Sequence, residues 1–133
     1  MFPVTSWVAA TCGIMLVALS LNVIRLRWAH RVLIGNNNNE TILRANRAQA
    51  NFLEYVPMAL IMMGLLEARG TDHDALNMLG IVLLIARASH AYSILFHETW
   101  QSDAQLLKRI PFRSLGMIGT FYVLFTEIHW LLV

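Results

Sequence analysis

Charge is what this sequence has least of. Only 14% of its 133 residues are Asp, Glu, Lys or Arg, against roughly 25% in a typical soluble domain. A water-facing shell around a core of this apolarity (57% hydrophobic, mean hydropathy +0.55) is therefore excluded, and a bilayer is the expected solvent. Cysteine is nearly absent too. The single Cys12 rules out an intrachain disulfide framework and any cysteine-based zinc cluster, leaving packing as its role. The excess of basic over acidic residues is small, +2, which argues against nucleic acid as a partner. A chain of this length makes one compact domain, residues 1–133, with no room for a second module.

What is present is a set of long apolar runs. No charged residue occurs from Met1 to Ile24, and about 20 apolar residues span a bilayer. This first span has no basic residue before it and is too long for the apolar core of a signal peptide. Further spans are predicted at 48–66, 75–96 and 114–133. The fold class is thus all-α integral membrane, a four-transmembrane-helix bundle. No internal repeat relates the spans.

The charges sort by connection. Arg25, Arg27, Arg31, Arg44 and Arg47 oppose one acid, Glu40, between the first two spans. Lys108, Arg109 and Arg113 lie between the last two. Together these are eight of the ten basic residues. The second connection carries Arg69 against Glu67, Asp72 and Asp74. The positive-inside bias then predicts the first and third connections to be cytoplasmic and both termini to lie on the other face, as in a bacterial inner membrane. Asn36 to Asn39 reads as a turn in the first cytoplasmic connection.

Ionisable residues within spans are costly and must be paired or face a wet cavity. Arg47, Asn51, Glu54 and Tyr55 stand at i, i+4, i+7 and i+8, one stripe of a helix. Glu54 lies about 10 Å deeper than Arg47. One reading is an interhelical clamp, with Arg47 and Glu54 bonding partners inside the bundle and Asn51 as helix glue. The other is a recognition stripe for a zwitterion, its carboxylate held by guanidinium and its ammonium by Glu54. Pro57 predicts a kink near Leu53. Arg87 and His90 share a face of the third span. His90 and His97 alone are too weak a pattern for a metal site. Pro111 opens the fourth span with Arg113 in its first turn, either a snorkelling interfacial cation or, with the helix-terminal amides, an anion site. Glu127 and His129 read as a rim or interhelical pair, and Gly116 and Gly119 as a close helix contact.

These elements resemble, in order, those of the membrane-associated proteins in eicosanoid and glutathione metabolism, the MAPEG family. The segment Arg47-Ala48-Gln49-Ala50-Asn51-Phe52-Leu53-Glu54-Tyr55-Val56-Pro57 resembles that family's second-helix signature. Arg25-Leu26-Arg27 is similar to the end of its first helix, Ala86-Arg87-Ala88-Ser89-His90 to its third-helix element and Pro111-Phe112-Arg113-Ser114 to the start of its fourth. The resemblance implies a homotrimer binding glutathione as co-substrate between neighbouring subunits. It assigns Arg25, Arg47, Asn51, Glu54, Tyr55, His90 and Ser114 to glutathione binding and Arg113 to thiol activation, with Arg109 as competitor. The implied activity is a glutathione-dependent transferase or peroxidase acting on an apolar electrophile drawn from the bilayer. Some members carry a Tyr four residues after the third-helix His and another four after the fourth-helix Arg. Here those positions are Ile94 and Met117, and the departures favour the alternative of a non-catalytic trimer that uses the stripe for assembly or for binding a lipid or small anion. A transporter or channel is disfavoured, because nothing polar continues the stripe from Met58 to Gly64.

Overall fold

A computed structural model describes residues 2–97 and 111–133. Helix α1, Pro3–His30, begins with proline in its first turn, where the missing N–H costs nothing. Arg25 to His30 are all helix-compatible, so the helix runs past the predicted end of the first span. It stops where Arg31 turns left-handed (φ 55°). Val32 N–H then closes on the Arg27 carbonyl at 2.9 Å.

Helix α2, Glu40–Ala68, starts well before the predicted span. Its start is set by Asn39, whose side chain accepts from the amides of Thr41 (3.0 Å) and Ile42 (3.1 Å), two donors that a helix N-terminus leaves open. The helix runs unbroken through Pro57. Helix α3, His73–Tyr92, is capped the same way by Asp72, which accepts from Ala75 N–H. Its last turn widens into a π-helical turn, Ser93–His97, a local expansion common at functional sites. Helix α4, Pro111–Leu132, opens at the predicted proline.

Four helices are each long and apolar enough to cross a membrane, and no strand occurs among the described residues. The distribution of side chains is the reverse of that in a water-soluble bundle. Ile14, Leu21, Ile61, Met78, Ile85 and Phe125 face outward, whereas Arg87, His90, Ser93, Thr120 and Glu127 are buried. An apolar exterior of this extent in water would be an association surface; in lipid it is the solvated face. This is an integral membrane protein.

Without a hydrophobic drive between helices in lipid, close backbone approach carries the packing. A Cβ on Gly116 would lie 2.6 Å from the Ala86 carbonyl oxygen, and one on Gly119 2.9 Å from the Ala86 Cβ. These two glycines let α4 lie directly on α3, as their spacing predicted. Gly80 does the same for α3 on α1, where a Cβ would meet Val8 at 2.5 Å. Cys12 is buried in the shared apolar core with Phe52, Met63 and Leu83. At the end away from the basic connections, the Glu67 carboxylate accepts from the first amides of α1, Val4 at 2.8 Å and Thr5 at 2.9 Å. Arg69 donates to the Leu131 carbonyl at the end of α4 (2.7 Å). Each charge meets the helix end of opposite polarity.

Candidate functional site

The polar centre of the bundle is built from three helices. On α3 and at the first residue of the π-helical turn after it, Arg87, His90 and Ser93 recur at three-residue steps and are each 1% exposed. On α4, Gly116 and Thr120 face them. The Thr120 hydroxyl donates to the Gly116 carbonyl at 2.8 Å, and its oxygen accepts from Arg87 Nη1 at 3.2 Å. On α2, Asn51 accepts from Arg87 Nη2 at 2.6 Å, and the guanidinium carbon stands 5.8 Å from the centre of the Tyr55 ring. The Tyr55 ring in turn meets Phe121 edge-on at 5.7 Å. A buried cation in lipid requires such a set of partners.

The α2 stripe therefore divides. Asn51 and Tyr55 turn inward to Arg87, while Arg47 and Glu54 stand on the exposed surface of the chain. Asn51 bridges the two halves, its amide nitrogen 3.4 Å from Glu54 Oε2. The clamp inside one chain thus runs between Asn51 and Arg87. The Arg47 and Glu54 side chains are not buried partners within it, because their positions on α2 rotate them out of the α3 and α4 contact.

His90 lies against Gly116, where an added Cβ would approach to 2.8 Å from its own Cβ. Arg113 stands one turn before Gly116 on the same α4 face, so the first turn of α4 sits over the buried histidine. Arg113 is an exposed residue and Ser114 is half-buried. Arg25 is exposed on α1, donating to Asn22 at 3.1 Å. Arg109 lies outside the described residues, as does the side chain of His97. Within one chain the structure gathers Asn51, Tyr55, Arg87 and His90 beside Arg113. Arg25, Arg47 and Glu54 remain on the surface.

Two members of this centre escaped the sequence reading. Thr120 lies seven residues after Arg113 on one stripe of α4, a spacing that was there to be used. Ser93 continues the three-residue step from Arg87 and His90. Arg87 Nε, His90 Nδ1 and Ser93 Oγ are buried without a hydrogen-bond partner among the described residues, on one side of α3. Such atoms are rare in native proteins and call for an explanation, such as a catalytic role or a bound water, ion or ligand. Among the described residues, no three His, Cys, Asp or Glu side chains converge where a metal could sit.

One expectation is overturned. Glu127 is fully buried, with neither carboxylate oxygen bonded among the described residues, and His129 is exposed. Two residues apart on a helix, the side chains diverge by about 200°, so they make no pair. Tyr92 is half exposed with its ring 5.2 Å from Phe96, directed away from His90.

The model of the MAPEG family matches residues 4–133. The chain is also 33% identical over 95 residues to the inner membrane protein YecN of Escherichia coli strain K12, an overlap of 71% of either chain. It matches YecN of E. coli O6:H1 (strain CFT073) to the same extent. No solved structure matches it. A family match along almost the whole length, on four helices that place the Arg47 to Pro57 and Arg87 to His90 segments at one polar centre, settles the question of kinship: this chain belongs to the MAPEG family.

Proposed function

We propose that the protein is a glutathione-dependent enzyme that joins the glutathione thiol to an apolar electrophile or uses it to reduce a lipid peroxide. The observation that carries this reading is the row of three buried polar atoms with no hydrogen-bond partner among the described residues, Arg87 Nε and His90 Nδ1 on α3 and Ser93 Oγ just after it, beside the first turn of α4. Glutathione offers two carboxylates, an ammonium, two amides and a thiol. Exposed Arg47 and Glu54 on α2 are complementary to a carboxylate and an ammonium, and Asn51, whose oxygen accepts from Arg87 and whose nitrogen faces Glu54, has a second amide N–H for a peptide carbonyl.

An exposed, charged stripe inside a membrane span is unfavourable against lipid. A homotrimer in which the neighbouring subunit faces Arg47 and Glu54 removes that cost and brings Arg25 to the same ligand. A thiol with pKa about 8.5 is mostly protonated at neutral pH. The Arg113 guanidinium and the amides of the first turn of α4 favour the anion, and each unit of lowering asks for about 1.4 kcal/mol. The thiol proton passes to water. The thiolate then attacks the electrophile arriving laterally from the bilayer, forming a C–S bond as an epoxide C–O bond or a conjugated C=C π bond opens and takes a proton from water; on a hydroperoxide it cleaves O–O, releasing the alcohol, and a second glutathione reduces the sulfenate to give glutathione disulfide and water.

Isothermal titration of the detergent-solubilised protein with glutathione is the test, with the thiolate absorbance followed in parallel. Saturable binding at millimolar concentration or below, with a rise in thiolate, is expected; no binding at millimolar glutathione ends this reading. Ile94, buried where other members place a tyrosine hydroxyl, is 4% exposed and packed in the apolar core. That observation favours a second reading, a trimer that binds its ligand without turnover, which binding without any rise in thiolate would support.

A further inference from the structure

Trp28, Leu33 and Ile34 are 82, 91 and 90% exposed, yet they lie beyond Ile24, the last residue of the charge-free run. At 28 residues, α1 is about 42 Å long against a hydrocarbon thickness of about 30 Å. Its last two turns therefore stand in the headgroup layer. The chain does not trail away there. Arg31 adopts the left-handed conformation, Val32 folds back and is buried, and Arg27 Nη1 donates to the Leu33 carbonyl at 3.3 Å. This closed turn leaves Leu33 and Ile34 exposed, a few residues from exposed Trp28 on the last turn of α1 and from Arg31 at its end. Gly35 (φ 74°) then redirects the chain toward Asn39 and α2.

We propose that this hook, Trp28 to Ile34, is a binding surface for anionic glycerophospholipid, with Arg27 and Arg31 on the phosphate groups and Trp28, Leu33 and Ile34 among the upper acyl chains. Two observations select the occupant. Trp at the interface and Arg just past a span are the side chains that suit the headgroup layer and its negative charge. A second copy of the chain would bring the same arginines against these, with Glu40 the only acid of the first connection to offset them. Anionic lipid has the complementary sign. The inference uses none of the residues assigned to glutathione and stands whether or not the protein is an enzyme.

The test uses the full chain with Trp7, Trp100 and Trp130 replaced by Phe, so that only Trp28 of the four tryptophans fluoresces. It is reconstituted in vesicles of equal parts phosphatidylcholine and phosphatidylglycerol. One or the other lipid carries bromine high on its acyl chains, at the same bromine content. The brominated glycerol lipid should quench Trp28 about twofold more than the brominated choline lipid, since one basic side chain near an anionic surface shifts partition by roughly fivefold. Arg27→Gln with Arg31→Asn should bring the ratio near one. Equal quenching by both lipids in the parent overturns the proposal, as does a preference that survives the double variant. Quenching by neither lipid also overturns it, because Trp28 is then covered by protein or water. Arg31→Asn alone, which suits the left-handed backbone, serves if the double variant misfolds. If the three-Phe chain misfolds, the difference between native chain and Trp28→Phe gives the same ratio.

Discussion

Arg87 donates to Asn51 at 2.6 Å, joining α3 to α2 in the middle of the bundle. The bond holds a buried cation and fixes the amide that also faces Glu54, so one contact serves packing and site together. A hydrogen bond to a charged group contributes about 1.5–3 kcal/mol, and stranding a buried donor costs the full desolvation penalty. Asn51→Ala should therefore destabilise the protein by about 2 kcal/mol in reversible unfolding in detergent. Arg87→Met should cost a similar amount. Because they share the bond, the double variant should fall short of the sum by about 1 kcal/mol or more; strictly additive losses would show that the pair is not coupled.

The α3 and α4 backbones meet at Gly116, where a Cβ would lie 2.6 Å from the Ala86 carbonyl oxygen and 2.9 Å from the His90 amide nitrogen. Both obstacles are backbone and neither can rotate away. Gly116→Ala should lower stability by about 1–3 kcal/mol, the usual range for overpacking. Gly13→Ala, with nothing within 4 Å of the new Cβ, should be neutral or slightly stabilising through helix propensity. The contrast in thermal midpoints between these two variants separates packing from propensity, and equal shifts would deny the close contact.

Glu127 is a different kind of buried group. Its carboxyl has no hydrogen-bond partner among the described residues, so it costs desolvation without visible return. Replacing it with an apolar side chain of similar volume should help. Glu127→Leu is expected to raise the unfolding midpoint, by about 1 kcal/mol or more in stability, whereas Glu127→Ala should lower it by leaving a cavity. A strong loss in Glu127→Leu would mean that the carboxyl holds a partner and has a role to be sought.

The sequence carried the four spans, because a long apolar run and a sparse charge have only one economical solution in lipid. It carried less of the helix ends. Trp28 to His30 and Glu40 to Asn46 fell in the predicted first connection because they lie outside the apolar runs, but in the structure they are helical turns, where nothing in them opposes helix. The polar stripe was legible as a face of α2, yet its division was not. Periodicity puts Asn51 and Glu54 on one side of a cylinder, and only the position of Arg87 decides that Asn51 turns in and Glu54 stays out. Glu127 was misread for a different reason: its two-residue spacing from His129 already puts the two side chains on nearly opposite faces, and only its burial depended on packing.

Arg113 and the glutathione thiol give the prediction that bears most on function. The guanidinium stands on the first turn of α4, one turn before the glycine that touches His90. If its part is to stabilise the thiolate, its removal acts on the anion and not on the rest of the ligand. Arg113→Ala should then lower turnover with a model electrophile by about 10²–10³, the usual loss on removing one preorganised electrostatic donor, while glutathione affinity changes by much less. The rise in thiolate absorbance on binding should disappear in the same variant. Arg113→Lys keeps the charge but loses the planar fork and should fall between the two. The same measurements on Arg109→Ala decide between the two arginines: thiolate lost there and kept in Arg113→Ala would move the role to Arg109. Parallel loss of affinity and turnover in Arg113→Ala would instead make it a binding residue, with no preference for the thiolate.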